Sequence, residues 1–229
     1  MRNFLICIFC IFLSSKFSSA EILKADGNKT IFVSSEKNIR VSFGVEKITR
    51  VLKSLTYNTV LKTINLKQKT EVNKNSIIIG TQGDKIIESI LSESIKNAVL
   101  KSGKEGFLIT SDTNGAIYII GKDASGTLYG CMEFVERIKA QGKIPESISI
   151  AEQPEMVLRG TCIGMQKPDY LPGHDVYEYP YTPETFPWFY DKELWVKYLD
   201  MMVENRYNSL YLWNGHPFAS LVKLKEYPF

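Results

Sequence analysis

Histidine, cysteine and net charge are all scarce in this chain of 229 residues, and each scarcity removes a class of function. With only 2 histidines, and no ligand spacing among His174, Cys162 and His216, neither a metal centre nor another cofactor is expected. Of the 4 cysteines, Cys7 and Cys10 fall in an N-terminal apolar stretch, which leaves Cys131 and Cys162, too few for a disulfide scaffold. Buried thiols are expected, with a single bridge left open. Long hydrophobic runs are also missing. Phe4 to Leu13 is the longest, and ten apolar residues cannot span a bilayer as a helix, so no membrane anchor is expected. Arg2 ahead of that run and the small residues Ser18, Ser19 and Ala20 behind it form the pattern of a cleavable signal peptide over residues 1–20, which predicts export, periplasmic or secreted. Removing Arg2 and Lys16 with it leaves 26 basic against 25 acidic residues, a balance that gives no reason to expect nucleic acid as a partner. The lysines between Lys62 and Lys74 are interrupted by Thr, Asn, Gln and Glu and read as a solvated face.

What is present is a core. At 44% hydrophobic residues the chain can build one complete domain and part of another. Residues 21–153 alternate between strand and helix signals. Thr30 to Ser34 is β-rich, and Val45 to Leu55 carries apolar residues at helical spacing. Ser76 to Gly80 (SIIIG) is a short buried strand. Asp84 can cap one long helix whose apolar stripe runs from Ile86 to Val99. Gly106 to Ser111 and Ala116 to Ile120 form a hairpin, with Asn114-Gly115 supplying the positive φ angles of its turn. A helix through Leu128, Cys131, Met132, Val135 and Ile138 follows, then a closing strand from Ile144 to Ile150. The loop from Gly121 to Gly126 has the four-residue gap of a phosphate-binding loop but Thr127 where the lysine must stand. A tight strand-to-helix turn is therefore expected there.

Pro154 marks a boundary, because it cannot donate to a sheet and biases Gln153 away from helix. Residues 154–229 then read as strand, long loop, helix and strand: Val157 to Ile163, Gly164 to Tyr190, a helix capped by Asp191, and Ser209 to Trp213. Such a unit buries both faces of its strands only inside a larger parallel sheet or barrel, so it is expected to be the start of a truncated (β/α)₈ barrel. The loop holds eight aromatics among five prolines. Flat rings offer apolar platforms to the C–H faces of sugars, and a loop after a barrel strand lies at the active-site end. Trp188 and Tyr190 are thus expected to line a carbohydrate cleft. The second strand ends Trp213-Asn214-Gly215-His216, where Trp213 can stack and Asn214 and His216 can hydrogen-bond hydroxyls. Arg159, set in an apolar strand, must meet a structural carboxylate or a ligand.

These residues carry a resemblance. Gly106-Phe-Leu-Ile-Thr110 followed by Gly115 to Gly130 resembles the accessory domain that precedes the barrel in family 20 β-hexosaminidases, and a similar domain occurs in family 67 α-glucuronidases. Ala124-Ser-Gly-Thr-Leu-Tyr-Gly130 matches their A-x-G-x-x-Y-G turn, and Pro154-Glu-Met-Val-Leu-Arg-Gly160 matches their P-x-x-x-x-R-G entry to the barrel. Met201 to Trp213 is similar to the first barrel helix and second strand. The resemblance covers roughly Ser76 to Phe229. It implies an α+β accessory domain, like the second domain of β-hexosaminidases, followed by the first βαβ of a barrel. It also implies that Arg159 holds sugar hydroxyls and that a catalytic carboxylate pair lies beyond Phe229. The expectation is an exported glycoside hydrolase acting on poly- or oligosaccharides, inactive as this fragment alone. The alternative is a non-catalytic carbohydrate-binding or surface-interaction protein.

Overall fold

The computed structural model describes residues 27–66, 70–164, 183–184, 187–213 and 225. The leader read over residues 1–20, most of the aromatic loop, Asn214 and His216 lie outside the described residues. Among those described, no helix is long and apolar enough to cross a membrane.

Six strands form one sheet: β1 (Asn28–Ser34), β2 (Asn58–Ile64), β3 (Ser76–Thr81), β4 (Phe107–Ser111), β5 (Ile117–Gly121) and β6 (Ser149–Glu152), in the order β2-β1-β3-β5-β4-β6. The first four in that order are parallel. Only β4 runs against its neighbours β5 and β6. The fold is therefore mixed α/β with a parallel-dominated sheet, rather than the α+β arrangement that the resemblance to β-hexosaminidases implies. The difference lies in β2, whose residues are exposed except for Ile64 and the half-buried Thr59, so its alternation carries no apolar signal.

Helices cover both faces, which is why β3 and β5 read as continuous apolar runs. On one face α1 (Ile39–Ser54) and α4 (Ala124–Gln141) pack over Ile31, Ile77, Ile79, Ile109 and Ile119. On the other, α2 (Lys85–Glu88) and α3 (Glu93–Leu100) cover Phe32, Ile78, Leu108 and Ile120. The period of two sends Ile77 and Ile79 to one core and Ile78 to the other. The single helix expected from Asp84 is two. Asp84 caps Ile86 and Ile87 as foreseen, but the Ser92 hydroxyl accepts from Ile95 N–H and starts a second helix. The hairpin holds, with positive φ only at Gly115; Asp112 accepts from Asn114 and Ala116 N–H to close the turn. The closing strand lies later than expected, at Ser149–Glu152.

A second, two-stranded parallel sheet joins β7 (Gly160–Ile163) to β8 (Ser209–Leu212) through α5 (Pro187–Tyr190) and α6 (Lys192–Glu204), the latter capped by Asp191. Strand β7 is shorter than expected, and Val157 and Leu158 are exposed ahead of it. Cys131 is buried and free, and burial pushes its thiol well up; Cys162 is free and exposed, contrary to the buried thiol expected. In the folded 229-residue chain, Cys162 and not Cys131 is expected to react with iodoacetamide, and peptide mass mapping before and after unfolding will check it.

Candidate functional site

The β7–β8 pair has two ends, and the residues expected to bind sugar are divided between them. At the N-terminal end the Arg159 carbonyl accepts from the N–H groups of Asn208 and Ser209. At the C-terminal end Trp213 N–H donates to the Ile163 carbonyl at 2.8 Å. Four strand residues separate the two levels, roughly 13 Å at the usual rise. Arg159 and Trp213 do not meet in one site.

At the C-terminal end, Trp213 is 56% and Tyr190 47% exposed. Tyr190 also meets the Phe189 ring edge-to-face, 5.2 Å between centres. Trp188 is more enclosed. It packs with Ile163, Phe189, Trp195 and Leu212, its ring 6.1 Å from that of Trp195. Trp195 donates its indole N–H to the Phe189 carbonyl at 2.8 Å, which ties α5 to α6. Farther along α6, the Tyr198 hydroxyl is hydrogen-bonded to Thr161 on β7. Part of the aromatic loop is thus the core of the βαβ unit, with Tyr190 and Trp213 at its open edge. Sequence spacing alone could not separate the two roles, since both call for aromatics in the same stretch.

The N-terminal end is a polar bracket between the two sheets. Arg159 donates Nη2 to Glu105 Oε2 at 2.7 Å, Nη1 to the Met156 carbonyl at 2.7 Å and Nε to the Arg206 carbonyl at 3.1 Å. Its guanidinium lies 5.6 Å from the Tyr129 ring centre. Of the two partners expected for Arg159, a carboxylate or a ligand, the fold supplies the carboxylate. Glu105 also accepts from the Asn208 amide, and its own N–H donates to Asp123, the cap of α4.

A second bracket centres on Arg206, which pairs with Glu133 on α4 and, at 3.0 Å, with Glu152 on β6. Its guanidinium stacks 5.5 Å from the Phe107 ring. A third joins Lys47 on α1 to Glu204 at 2.7 Å and Asp200 at 3.4 Å. Burial disfavours charge on Glu133, but hydrogen bonds from Arg137 and Arg206 outweigh it and hold the carboxyl below the ordinary glutamate range. A depressed folded-state pKa means stability that is present above the unfolded value, about 4.3, and is lost as pH falls through the folded one. Acid unfolding is therefore expected to steepen below about pH 4. Glu133→Gln should flatten that limb while lowering stability at pH 7, as followed by circular dichroism.

The glycine turn is packed shut. A Cβ on Gly126 would lie 2.1 Å from the Gly106 carbonyl oxygen, and one on Gly121 would lie 1.9 Å from Thr127 N. Lys122 N–H donates to the same Gly106 carbonyl at 2.8 Å. The strand-to-helix turn leaves no space for a phosphate, as its missing lysine suggested.

Residues 23–134 match the model described as glycosyl hydrolase family 67 N-terminus. Among solved structures, a GH138 enzyme targeting pectin rhamnogalacturonan II is 44% identical, with a TM-score of 0.64 over 89% of this chain and 26% of that one. A family GH115 4-O-methyl-α-glucuronidase with specificity for decorated arabinogalactans is 18% identical, with a TM-score of 0.53 over 81% of this chain and 25% of that one, a likeness of fold alone. The chain resembles glycoside hydrolases of family 67 in its N-terminal domain. Of the two families that the sequence resembles, it is 67 that the match supports. The chain spans about a quarter of the length of the solved enzymes it matches.

Proposed function

We propose that this chain is the N-terminal part of an exported glycoside hydrolase that acts on a pectin-type polysaccharide. Residues 1–20 are its signal peptide, 21–153 its accessory domain, and 154–229 the start of a catalytic (β/α)₈ barrel. The observation that carries the reading is the 44% identity, across 89% of the chain, to an enzyme that targets rhamnogalacturonan II. A physical argument supports the barrel. Parallel strands are stable when both faces are covered, yet β7 and β8 have no neighbour beyond each other among the described residues, and Tyr211 is 63% exposed. Further parallel strands would cover that surface. Trp213 and Tyr190, with Asn214 and His216 next in the chain, then stand at the C-terminal mouth, where they contact sugar. Arg159 acts from beneath by fixing β7. The catalytic acid and base come from later strand ends.

The test is to sequence the coding DNA past Phe229, produce the protein from the whole reading frame and digest rhamnogalacturonan II with it. Chromatographic detection of a released sugar is expected from the long protein and none from the 229-residue chain. Release from arabinogalactan but not from rhamnogalacturonan II would reassign the substrate. Turnover by the 229-residue chain itself would overturn the placement of the catalytic pair.

A further inference from the structure

The sheet of the first domain has a topological switch point. From β1 the chain leaves along one face through α1 and returns as β2 on the left. From β3 it leaves along the other face through α2 and α3 toward β4 and β5 on the right. Where neighbouring parallel strands send their connections to opposite sides, their carboxyl ends part and leave a crevice, the place where open α/β sheets bind ligands. A cavity of about 700 Å³ lies there, between the ends of β1 and β3 and beneath the start of α1. That volume is within the range of small-molecule sites. It is remote in the chain from the β7–β8 mouth, and no residue of that mouth lines it.

Its lining restricts what could enter. The floor is apolar, with Val33, Val45 and Ile79 presented by β1, α1 and β3. The rim is made of hydroxyl and amide groups, among them Ser42, Thr63 and Gln82, which both donate and accept. The charged groups do not favour an anion. Glu36 and Asp84 stand against Lys37, and the Asp84 carboxylate already accepts from Ile86 and Ile87 N–H. An apolar floor under a rim of neutral donor–acceptor groups complements a molecule with C–H faces and many hydroxyls. We infer that this crevice is a second carbohydrate site, taking a small neutral saccharide and excluding uronates. The inference does not rest on the proposed catalytic function.

Isothermal titration of the 229-residue chain with methyl α-L-rhamnoside, methyl β-D-galactoside and sodium galacturonate tests it. Binding of at least one neutral glycoside in the millimolar range is expected, with no heat from galacturonate. Ser42→Trp on α1 and Thr63→Trp on β2 fill the crevice from opposite walls at exposed positions, and each is expected to weaken binding at least about tenfold, or 1.4 kcal/mol. Titrations repeated in a Trp213→Ala background remove any contribution of the β7–β8 mouth and read the crevice alone. Failure of both neutral glycosides to bind would overturn the inference. So would galacturonate binding as well as they do, or binding that Trp213→Ala abolishes and both crevice variants, folded by circular dichroism, retain.

Discussion

Replacing Arg159 with methionine is expected to destabilise the protein by about 3 kcal/mol, the cost of breaking an enclosed ion pair from one side. The side chains of Arg159 and Glu105 are each only 13% exposed, so the abandoned carboxylate cannot be rehydrated in place. Asn208 remains as its neutral partner, at 3.3 Å, and one amide does not replace a guanidinium. The Arg206 and Met156 carbonyls lose their donor as well. Urea denaturation will measure the loss. Glu105→Gln in the wild-type background should cost less, because it leaves a charged arginine with two carbonyl partners. The double variant Arg159→Met/Glu105→Gln should be more stable than the sum of the singles predicts, since the two groups share one interaction. If Arg159 served only a ligand, its replacement would leave the denaturation midpoint where it was.

That bracket marks the limit of what the chain discloses in one dimension. Arg159 announced a partner, because an arginine among apolar strand residues needs one. Which carboxylate answered could not be read, for Glu105 lies 54 positions earlier, in a turn with φ near 61° that no periodicity signals. Arg206 is the same case. It sits at φ 59° after α6, looks like a solvated helix end, and instead reaches Glu133 and Glu152. Elements with their own local chemistry were legible: β3 through its isoleucines, the β4–β5 hairpin through Asp112 to Gly115, and α6 through the Asp191 cap. Strand β2 was not, because an edge strand with little burial has no apolar alternation to read. The missing β2 also hid the switch point, since the order of strands fixes where the sheet opens. The aromatic residues stand out in the sequence only as a group, and their division into packed Trp188 and exposed Trp213 depends on α6 turning Trp195 toward α5.

Gly126→Ala is expected to be more damaging still, on the order of 4 kcal/mol, among the largest effects a single methyl group produces. The added carbon would stand 2.1 Å from the Gly106 carbonyl oxygen and about 3 Å from two further backbone atoms. Nothing flexible lies in the way that could swing aside. Relief would require α4 to move off the start of β4, and α4 carries Phe134 and Ile138, both fully buried against the sheet. Gly106 is fixed in turn, because its carbonyl accepts from Lys122 N–H and its neighbour Glu105 donates to the Asp123 cap. A shift there would reach Glu105 and so loosen Arg159 on β7. The substitution should therefore couple to the bracket: in the Arg159→Met background, Gly126→Ala should cost less than it does alone. Gly142→Ala is the control. Its φ of 66° closes α4 with nothing within 4 Å, so alanine there should cost only about 1 kcal/mol. Equal losses at the two positions would mean that conformational preference, rather than close approach of the backbone, sets the need for glycine at the head of α4.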